Sequence, residues 1–210
     1  MAKLPKTCSR AILALVSVLS ATAAGEEDGF ELRDYLNRTW SNECVRFRLN
    51  DTQWKHAQAG HALVGPDARP TLYQLLPAAN LQERAIEFLA DLNAFETRRY
   101  HFTPDQAKLT TDLSVEETDA AVKLNNRLTG IALPKTLKAG GPIQQIRLNS
   151  GKWVASSSLS SDLEVTSYSV EVTARGPVFA EAVCRVGWDE QSRWELRVRL
   201  NAGEPVILID

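Results

Sequence analysis

The carboxyl-terminal half of the chain shows the clearest alternation of apolar and polar residues. Residues 166–175, 178–188 and 193–200 each place apolar side chains at every second position. This period is typical of a strand with one buried face. Gly176-Pro177 lies between the first two segments and is typical of a tight turn. The pattern therefore predicts an antiparallel meander of three long strands.

The preceding half carries shorter alternating segments. Residues 44–49, 71–76 and 97–102 are predicted strands. Residues 81–92 fit a helix or a strand, and we favour a strand from Ala85 because every neighbouring segment is a strand. A polar segment at 103–111 separates the two halves. The sequence thus predicts an all-β chain with one domain at 25–104 and an antiparallel β-sandwich-type domain at 105–210.

The first 24 residues follow the order of a secretory signal peptide. Lys3, Lys6 and Arg10 precede or flank an apolar run at 11–19, and Ala21-Thr22-Ala23 forms a small-residue cleavage site. The run is shorter than the roughly 20 apolar residues that a permanent membrane anchor needs. We therefore expect a secreted or periplasmic protein with no membrane span.

Charge argues against several classes of partner. Removing Lys3, Lys6 and Arg10 from the 24 Lys and Arg leaves 21, against 26 Asp and Glu, so the mature chain has a net charge of −5. Nucleic acids and anionic membranes are bound through basic patches. The composition therefore predicts no nucleic-acid partner.

Cysteine and histidine placement argues against a disulfide or a metal site. Cys184 aligns with a predicted buried face, whereas Cys44 aligns with arginines on a predicted exposed face, so we expect two unlinked thiols. His56 and His61 are five residues apart, whereas histidine pairs that bind metal on a helix prefer a spacing of four. We expect no metal and no cofactor.

The polar face of the meander is strongly charged. Carboxylates and guanidinium groups on such a face can bind sugar hydroxyls or uronate carboxylates. A solvated face with cross-strand charge pairs is the alternative, and it is the commoner origin of such a pattern. The candidate substrate-binding residues on this face are Glu171, Arg175, Arg185, Arg197 and Arg199.

Tryptophan adds one further candidate. Trp188 and Trp194 align with the apolar sides of their strands, so both are predicted to be in the core. Trp153 follows a turn, and we choose it as a substrate-binding residue that exposes its ring to a sugar.

No G-x-S-x-G nucleophile motif or phosphate-binding glycine loop occurs. Acidic pairs are too numerous to select one for glycosidic cleavage, so no catalytic residue is assigned.

Several longer segments carry a family resemblance. YLNRTWSNECVRFRL, GHALVGPDARPTLYQL and LADLNAFETRRYHF resemble the small Rift β-barrel that precedes β-sandwiches in carbohydrate-active families. VKLNNRLTGIALPK, GPIQQIRLNSGKW, YSVEVTARGPVFAEAVCRV and WELRVRLNAGEPVILID resemble the start of the sandwich that follows. The chain is similar in order to the secreted exo-rhamnogalacturonan lyase-like family. That resemblance implies a small barrel, then a central sandwich and a helical toroid.

The sequence ends at Asp210, where the resemblance implies that the sandwich continues. We therefore expect an incomplete sandwich in a fragment, which acts as a non-catalytic, carbohydrate-associated module of a secreted pectin lyase-like protein. Its partner would be a polysaccharide or oligosaccharide; any catalysis would be lyase or glycoside hydrolase chemistry. The alternative is a binding protein of the cell envelope with no enzymatic partner domain. Residues 206–209 form a predicted apolar edge strand, through which we expect self-association.

Overall fold

The computed structural model describes residues 29–78, 80–105, 109–137 and 140–210. The signal peptide predicted at residues 1–24 lies outside the described residues. The strands form four antiparallel sheets, which confirms the all-β prediction. Within the described ranges, no helix is both long enough and apolar enough to cross a membrane.

The first block, residues 29–105, contains two sheets. Their strand orders are β1-β7-β3-β4 and β2-β6-β5, with every pairing antiparallel. The strands are β1 (Gly29–Arg33), β2 (Trp40–Arg48), β3 (Ala62–Val64), β4 (Pro70–Thr71), β5 (Tyr73–Leu75), β6 (Ala85–Leu92) and β7 (Thr97–Thr103). The preference for a strand over a helix from Ala85 is confirmed by β6.

Aromatic residues fill the core between these two sheets. The ring of Phe30, from β1, stacks on Phe47, from β2, with centroids 3.9 Å apart. Phe88 is fully buried on β6, and its ring centroid lies 5.0 Å from that of Tyr100 on β7. The block is therefore two open sheets packed face to face. Among the described residues, no strand pairing closes them into the barrel that the resemblance implied.

One short helix in this block was not predicted. Helix α1 (Asp51–Gln58) follows β2 directly. The Asn50 side chain accepts the backbone N–H of Gln53, and the Gln53 side chain accepts the backbone N–H of Asn50. This reciprocal pair is a capping box, which satisfies donors that a helix start leaves without partners. Asn50 and Gln53 have the three-residue spacing of such a box, so the signal was present in the sequence.

The second block, residues 109–210, is a sandwich of two sheets with orders β12-β11-β10-β9-β8 and β13-β14-β15-β16. The first sheet comprises β8 (Ser114–Glu117), β9 (Ala121–Asn125), β10 (Gly130–Pro134), β11 (Gln145–Arg147) and β12 (Trp153–Val154). The second comprises β13 (Ser167–Arg175), β14 (Phe179–Gly187), β15 (Arg193–Asn201) and β16 (Ile207–Ile209). Strands β13, β14 and β15 form the predicted meander.

The core of the second block lies between its two sheets. Val122, Leu124 and Ile131 from the first sheet pack with Ala182 and Val198 from the second. All five are almost completely buried. Alternation along β13–β15 thus identified the buried face correctly, because the opposite face of this sheet meets solvent over most of its length.

Trp194 departs from the predicted core. It aligns with the apolar face of β15 but is 38 % exposed, whereas Leu196, two residues further along, is 6 % exposed. Strand β16 pairs with β15 only between Val198 and Leu200, so no strand of the described ranges borders the edge of β15 beside Trp194. The prediction that Trp194 belongs to the core is therefore wrong.

A small cluster joins the two blocks. Val178 and Phe179, at the start of β14, pack with Leu76 and other apolar residues of the first block. The Gln74 side chain, on β5, accepts the backbone N–H groups of Val178 and Phe179 at 3.2 and 3.0 Å. Gln74 is 7 % exposed, so these hydrogen bonds are shielded from water. The blocks are therefore docked through buried backbone groups as well as apolar contacts.

Candidate functional site

The outer face of β13–β15 carries a continuous series of ion pairs, which we call the charged run: Glu171, Arg185, Glu195, Arg197 and Glu181. Arg185 Nη1 lies 2.7 Å from Glu171, and its Nε lies 3.0 Å from Glu195. Arg197 Nη2 lies 3.1 Å from Glu195, and its Nη1 lies 2.7 Å from Glu181. The predicted placement of these side chains on one face is what the register requires.

The charged run is fixed by its own pairing. Hydrogen bonds from Arg185 to Glu171 and then to Glu195 raise the pKa of its guanidinium, and Glu181 raises that of Arg197. Val183 lies on this face between Glu171 and Arg197 and is fully buried. The run is therefore an ordered polar surface over an apolar floor.

Donors remain available on this surface. The ion pairs use Nε and Nη1 of Arg185 and Nη1 and Nη2 of Arg197. A guanidinium has five N–H groups, so each arginine keeps some for a ligand. Sugar hydroxyls both donate and accept hydrogen bonds, and alternating guanidinium and carboxylate groups match both functions.

Arg175 has a separate position beyond a bulge in β13. Its guanidinium pairs with Glu117 on β8, which also accepts a hydrogen bond from Lys135 at 3.1 Å. Lys135, and then Arg175, lower the pKa of the Glu117 carboxyl. Arg175 also lines a shallow groove of about 370 Å³ with Thr111, Leu113, Val115, Gly176 and Pro177.

Arg199 turns away from the charged run toward the first block. Its Nη2 donates to a carboxylate oxygen of Glu87 and, at 3.1 Å, to the sulfur of Cys44. Its guanidinium carbon lies 3.8 Å from the ring centroid of Phe179. The group is a cation held between the blocks, where it is largely enclosed by protein.

The structure also corrects the expected exposure of Cys44. The thiol lies between Glu87 and Arg199 because the outer side of β2 meets the second block there. Burial, and then the charge of Glu87, raise its pKa to about 12. Cys44 and Cys184 are both free, which confirms the expectation of unlinked thiols. A thiol with such a pKa is a poor nucleophile at neutral pH.

Trp153 lies on the other sheet of the sandwich. It pairs with Arg147 on β11, and Lys123 Nζ lies 5.7 Å from its ring centroid. Its neighbour in sequence, Val154, pairs with Ile146, which packs on the sandwich core. Trp153 therefore points outward from the β8–β12 sheet, on the opposite side of the sandwich from the charged run. The structure does not bring these candidates into one site.

A further exposed surface in the first block was not identified from the sequence. Tyr35, Leu36 and Phe95 are 61, 59 and 64 % exposed, and we call these three residues the aromatic platform. Backbone N–H groups of Leu36 and Phe95 both donate to the carboxylate of Asp34, at 3.0 and 2.8 Å. Two loops far apart in sequence thus meet, so no local pattern could have indicated this surface.

The first block also has an open groove of about 650 Å³. His101, on β7, is exposed there. Arg99, on the same strand, pairs with Glu31 at 2.8 Å. The remaining wall is mostly small and apolar: Ala62, Val64, Gly65, Pro66, Ala68, Pro70, Thr103 and Asp105.

Among the described residues, every carboxyl group with a shifted pKa has it lowered. The pKa values of Asp34, Glu96, Glu117 and Asp189 are lowered, each mainly by hydrogen bonds to the carboxylate. A general acid for glycosidic cleavage needs a raised pKa. Across the described ranges, no three His, Cys, Asp or Glu side chains are placed to hold a metal ion.

Comparison with solved structures finds 11 similar chains. The chain is similar to a crystal structure of a protein in the glycosyl hydrolase family 38 from Enterococcus faecalis, with 7 % identity and a TM-score of 0.48. The alignment covers 88 % of this chain and 31 % of that protein. No family model matches the chain. No curated protein matches it either.

Proposed function

We propose that the chain is a non-catalytic, carbohydrate-associated module of a secreted polysaccharide-degrading protein of the pectin lyase-like kind. The observation that carries this proposal is the charged run, an ordered array of hydrogen-bond donors and acceptors on an open sheet face. Because its members hold one another in place, a saccharide would bind without first ordering them. The resemblance of the sequence segments to the secreted exo-rhamnogalacturonan lyase-like family supports the same function.

Two features support a binding role in preference to catalysis. Arg185 lies between Glu171 and Glu195 and donates a hydrogen bond to each, so neither carboxylate is positioned as a free base. Among the described residues, the carboxyl groups with a shifted pKa all have a lowered one, which opposes proton donation at neutral pH.

A binding assay on the charged run tests the proposal. Affinity electrophoresis would compare the wild type with Arg185→Gln, Arg197→Gln and a control, Arg69→Gln, across pectic and other acidic polysaccharides. Arg69 lies in a turn of the first block with an 84 % exposed side chain, so its loss removes the same charge elsewhere. We expect retardation of the wild type and the control, and weaker retardation of both run variants. Equal mobility of all four proteins with and without polysaccharide would contradict the proposed function.

Export is part of the proposal and has its own test. The charged, apolar and small-residue order of residues 1–24 supports signal cleavage after Ala23 or Ala24. Mass spectrometry of the exported protein should therefore show a new terminus at one of these positions. Retention of Met1 in exported protein would contradict it.

A second candidate function, a binding protein of the cell envelope, is favoured by one observation. Leu208 and Ile209, on the edge strand β16, are 48 and 49 % exposed, and Val206, just before it, is 52 % exposed. Open apolar edges pair with strands of other chains. Concentration-dependent association in analytical ultracentrifugation, lost in Leu208→Lys, would favour this function, particularly if no saccharide binds.

A further inference from the structure

The aromatic platform lies where the loop after β1 approaches the turn between β6 and β7. Asp34 N–H donates to the carbonyl of Glu96 at 3.0 Å, which holds the two segments together. Large apolar side chains on a soluble protein usually turn inward, yet Tyr35, Leu36 and Phe95 are each about 60 % exposed. Their concentration at one end of the block therefore calls for a physical explanation.

A buried carboxylate keeps both segments rigid. Asp34 is 4 % exposed and accepts the indole N–H of Trp40 at 3.0 Å and the backbone N–H of Arg38 at 3.1 Å. It also accepts the backbone N–H groups of Leu36 and Phe95. The hydrogen bond from Trp40, followed by those from the backbone, holds its pKa well below the ordinary range. The ionised carboxylate of Asp34 thus holds the two segments of the aromatic platform through hydrogen bonds.

The backbone at Phe95 is strained although most of its ring is exposed. Its φ is +59°, in the left-handed region that Gly and Asn adopt most readily. A phenylalanine there costs conformational energy, and its ring is 64 % exposed. Strain kept at an exposed aromatic residue is characteristic of binding sites, because folding alone would favour a glycine.

Two arginines give the platform a positive border. The guanidinium of Arg33 lies 5.1 Å from the ring centroid of Tyr35. Arg38 follows the same loop with an exposed side chain. Within the part of the chain that the structure describes, neither guanidinium is paired with a carboxylate, whereas both arginines of the charged run are. The nearby Glu96 is already engaged by Arg98 at 2.9 Å.

We propose that the aromatic platform binds an anionic saccharide. A pyranose ring packs on Phe95 and Tyr35, and its carboxylate or sulfate group pairs with Arg33 or Arg38. Guanidinium forks suit both anions. The three side chains are each about 60 % exposed, and an aromatic side chain buries at most about 250 Å², so together they supply at most about 450 Å² of contact. A stable protein partner needs about 800 Å² per side, so the platform fits one or two sugar rings better than a protein.

The choice of a saccharide rests on the proposed function, but the platform is a different surface from the charged run. Phe95→Gly provides a diagnostic variant because glycine adopts the observed φ without strain. The melting temperature should stay equal or rise. Removing the ring should weaken binding by about tenfold or more, the loss expected from a stacked aromatic contact. Arg38→Gln should also weaken binding and leave the melting temperature unchanged. Leu81→Ala, at a similarly exposed apolar residue, is the control and should do neither.

The experiment is isothermal titration of the full mature protein with three probes. A short oligogalacturonate tests a uronate, a heparin-derived oligosaccharide tests a sulfate, and a cello-oligosaccharide tests a neutral chain. Binding of an anionic probe that falls in Phe95→Gly and Arg38→Gln, with stability maintained, is the expected result. If the wild type binds and Phe95→Gly binds equally well, the platform is not the site, although the proposed function stands. Binding of no probe by the wild type would overturn both. A lowered melting temperature in Phe95→Gly would show a structural role and overturn the platform proposal alone.

Discussion

Replacing Gln74 by leucine tests how the two blocks are held together. Leucine preserves most of the side-chain volume but removes the oxygen that accepts the N–H groups of Val178 and Phe179. Both donors would remain buried without an acceptor. Since each unsatisfied buried group costs about 1–3 kcal/mol and leucine recovers some apolar burial, we expect a loss of about 2–4 kcal/mol in the free energy of unfolding.

Urea unfolding followed by fluorescence gives this free energy by linear extrapolation. Gln82→Leu is the matched control, because Gln82 is exposed and its change should stay within about 0.5 kcal/mol. Gly176→Ala offers an independent perturbation: a Cβ at this position would lie 1.9 Å from Cδ of Gln74, so the glutamine side chain must move. The double variant should lose less than the sum of the single losses. A Gln74→Leu protein as stable as the control would refute the docking described here.

Three further predictions concern buried and ionised groups. Glu87→Gln should reduce the free energy of unfolding by about 2–3 kcal/mol, because Arg199 loses its carboxylate partner. Adding Arg199→Met should recover part of that loss in urea unfolding. If the losses of the two single variants simply add, Glu87 and Arg199 do not interact as described. Cys44 should resist iodoacetamide at pH 8 in the native protein and react after unfolding, as read by mass spectrometry. The pKa of the Cys44 thiol is raised to about 12 in the folded protein. The stability that the protonated thiol contributes is therefore fully present below its unfolded pKa and is lost as the pH rises from there toward the folded pKa. Rapid labelling of the native protein would argue against the burial of Cys44. Stability should also decline as the pH falls below about 4, since the lowered pKa values of Asp34 and Glu117 contribute stability above the ordinary carboxyl pKa that is lost on protonation; a melting temperature independent of acid pH would contradict this.

Strand identity was predictable wherever one face of a strand meets solvent. Half-buried and exposed side chains alternate along the whole of β13, and buried and more exposed ones alternate in β15 from Glu195 onward, so the two-residue period identified both strands. Trp194 shows where that reasoning fails: alternation assigns a face, but burial depends on whether a neighbouring strand covers that part of the sheet. Helix α1 was missed although its capping box is visible at Asn50 and Gln53.

The candidate site was predictable only in part. Register alone places Arg185 and Arg197 on one face, and their pairing follows from it. The partners of the Arg199 side chain depend on how the first block docks on the second. No local sequence pattern predicts that docking. The position of Phe95 could not be predicted for a different reason: its loop is held by a hydrogen bond to Asp34, 61 residues earlier in the chain.

Saccharide binding without cleavage can be tested by following both in one sample. The purified mature protein would be titrated with pectic and other acidic oligosaccharides, while ultraviolet absorbance and reducing ends are recorded for lyase and hydrolase products. We expect saturable binding of an acidic oligosaccharide, with no product formed over the course of the titration. Product formation that a single substitution in this chain abolishes would contradict it.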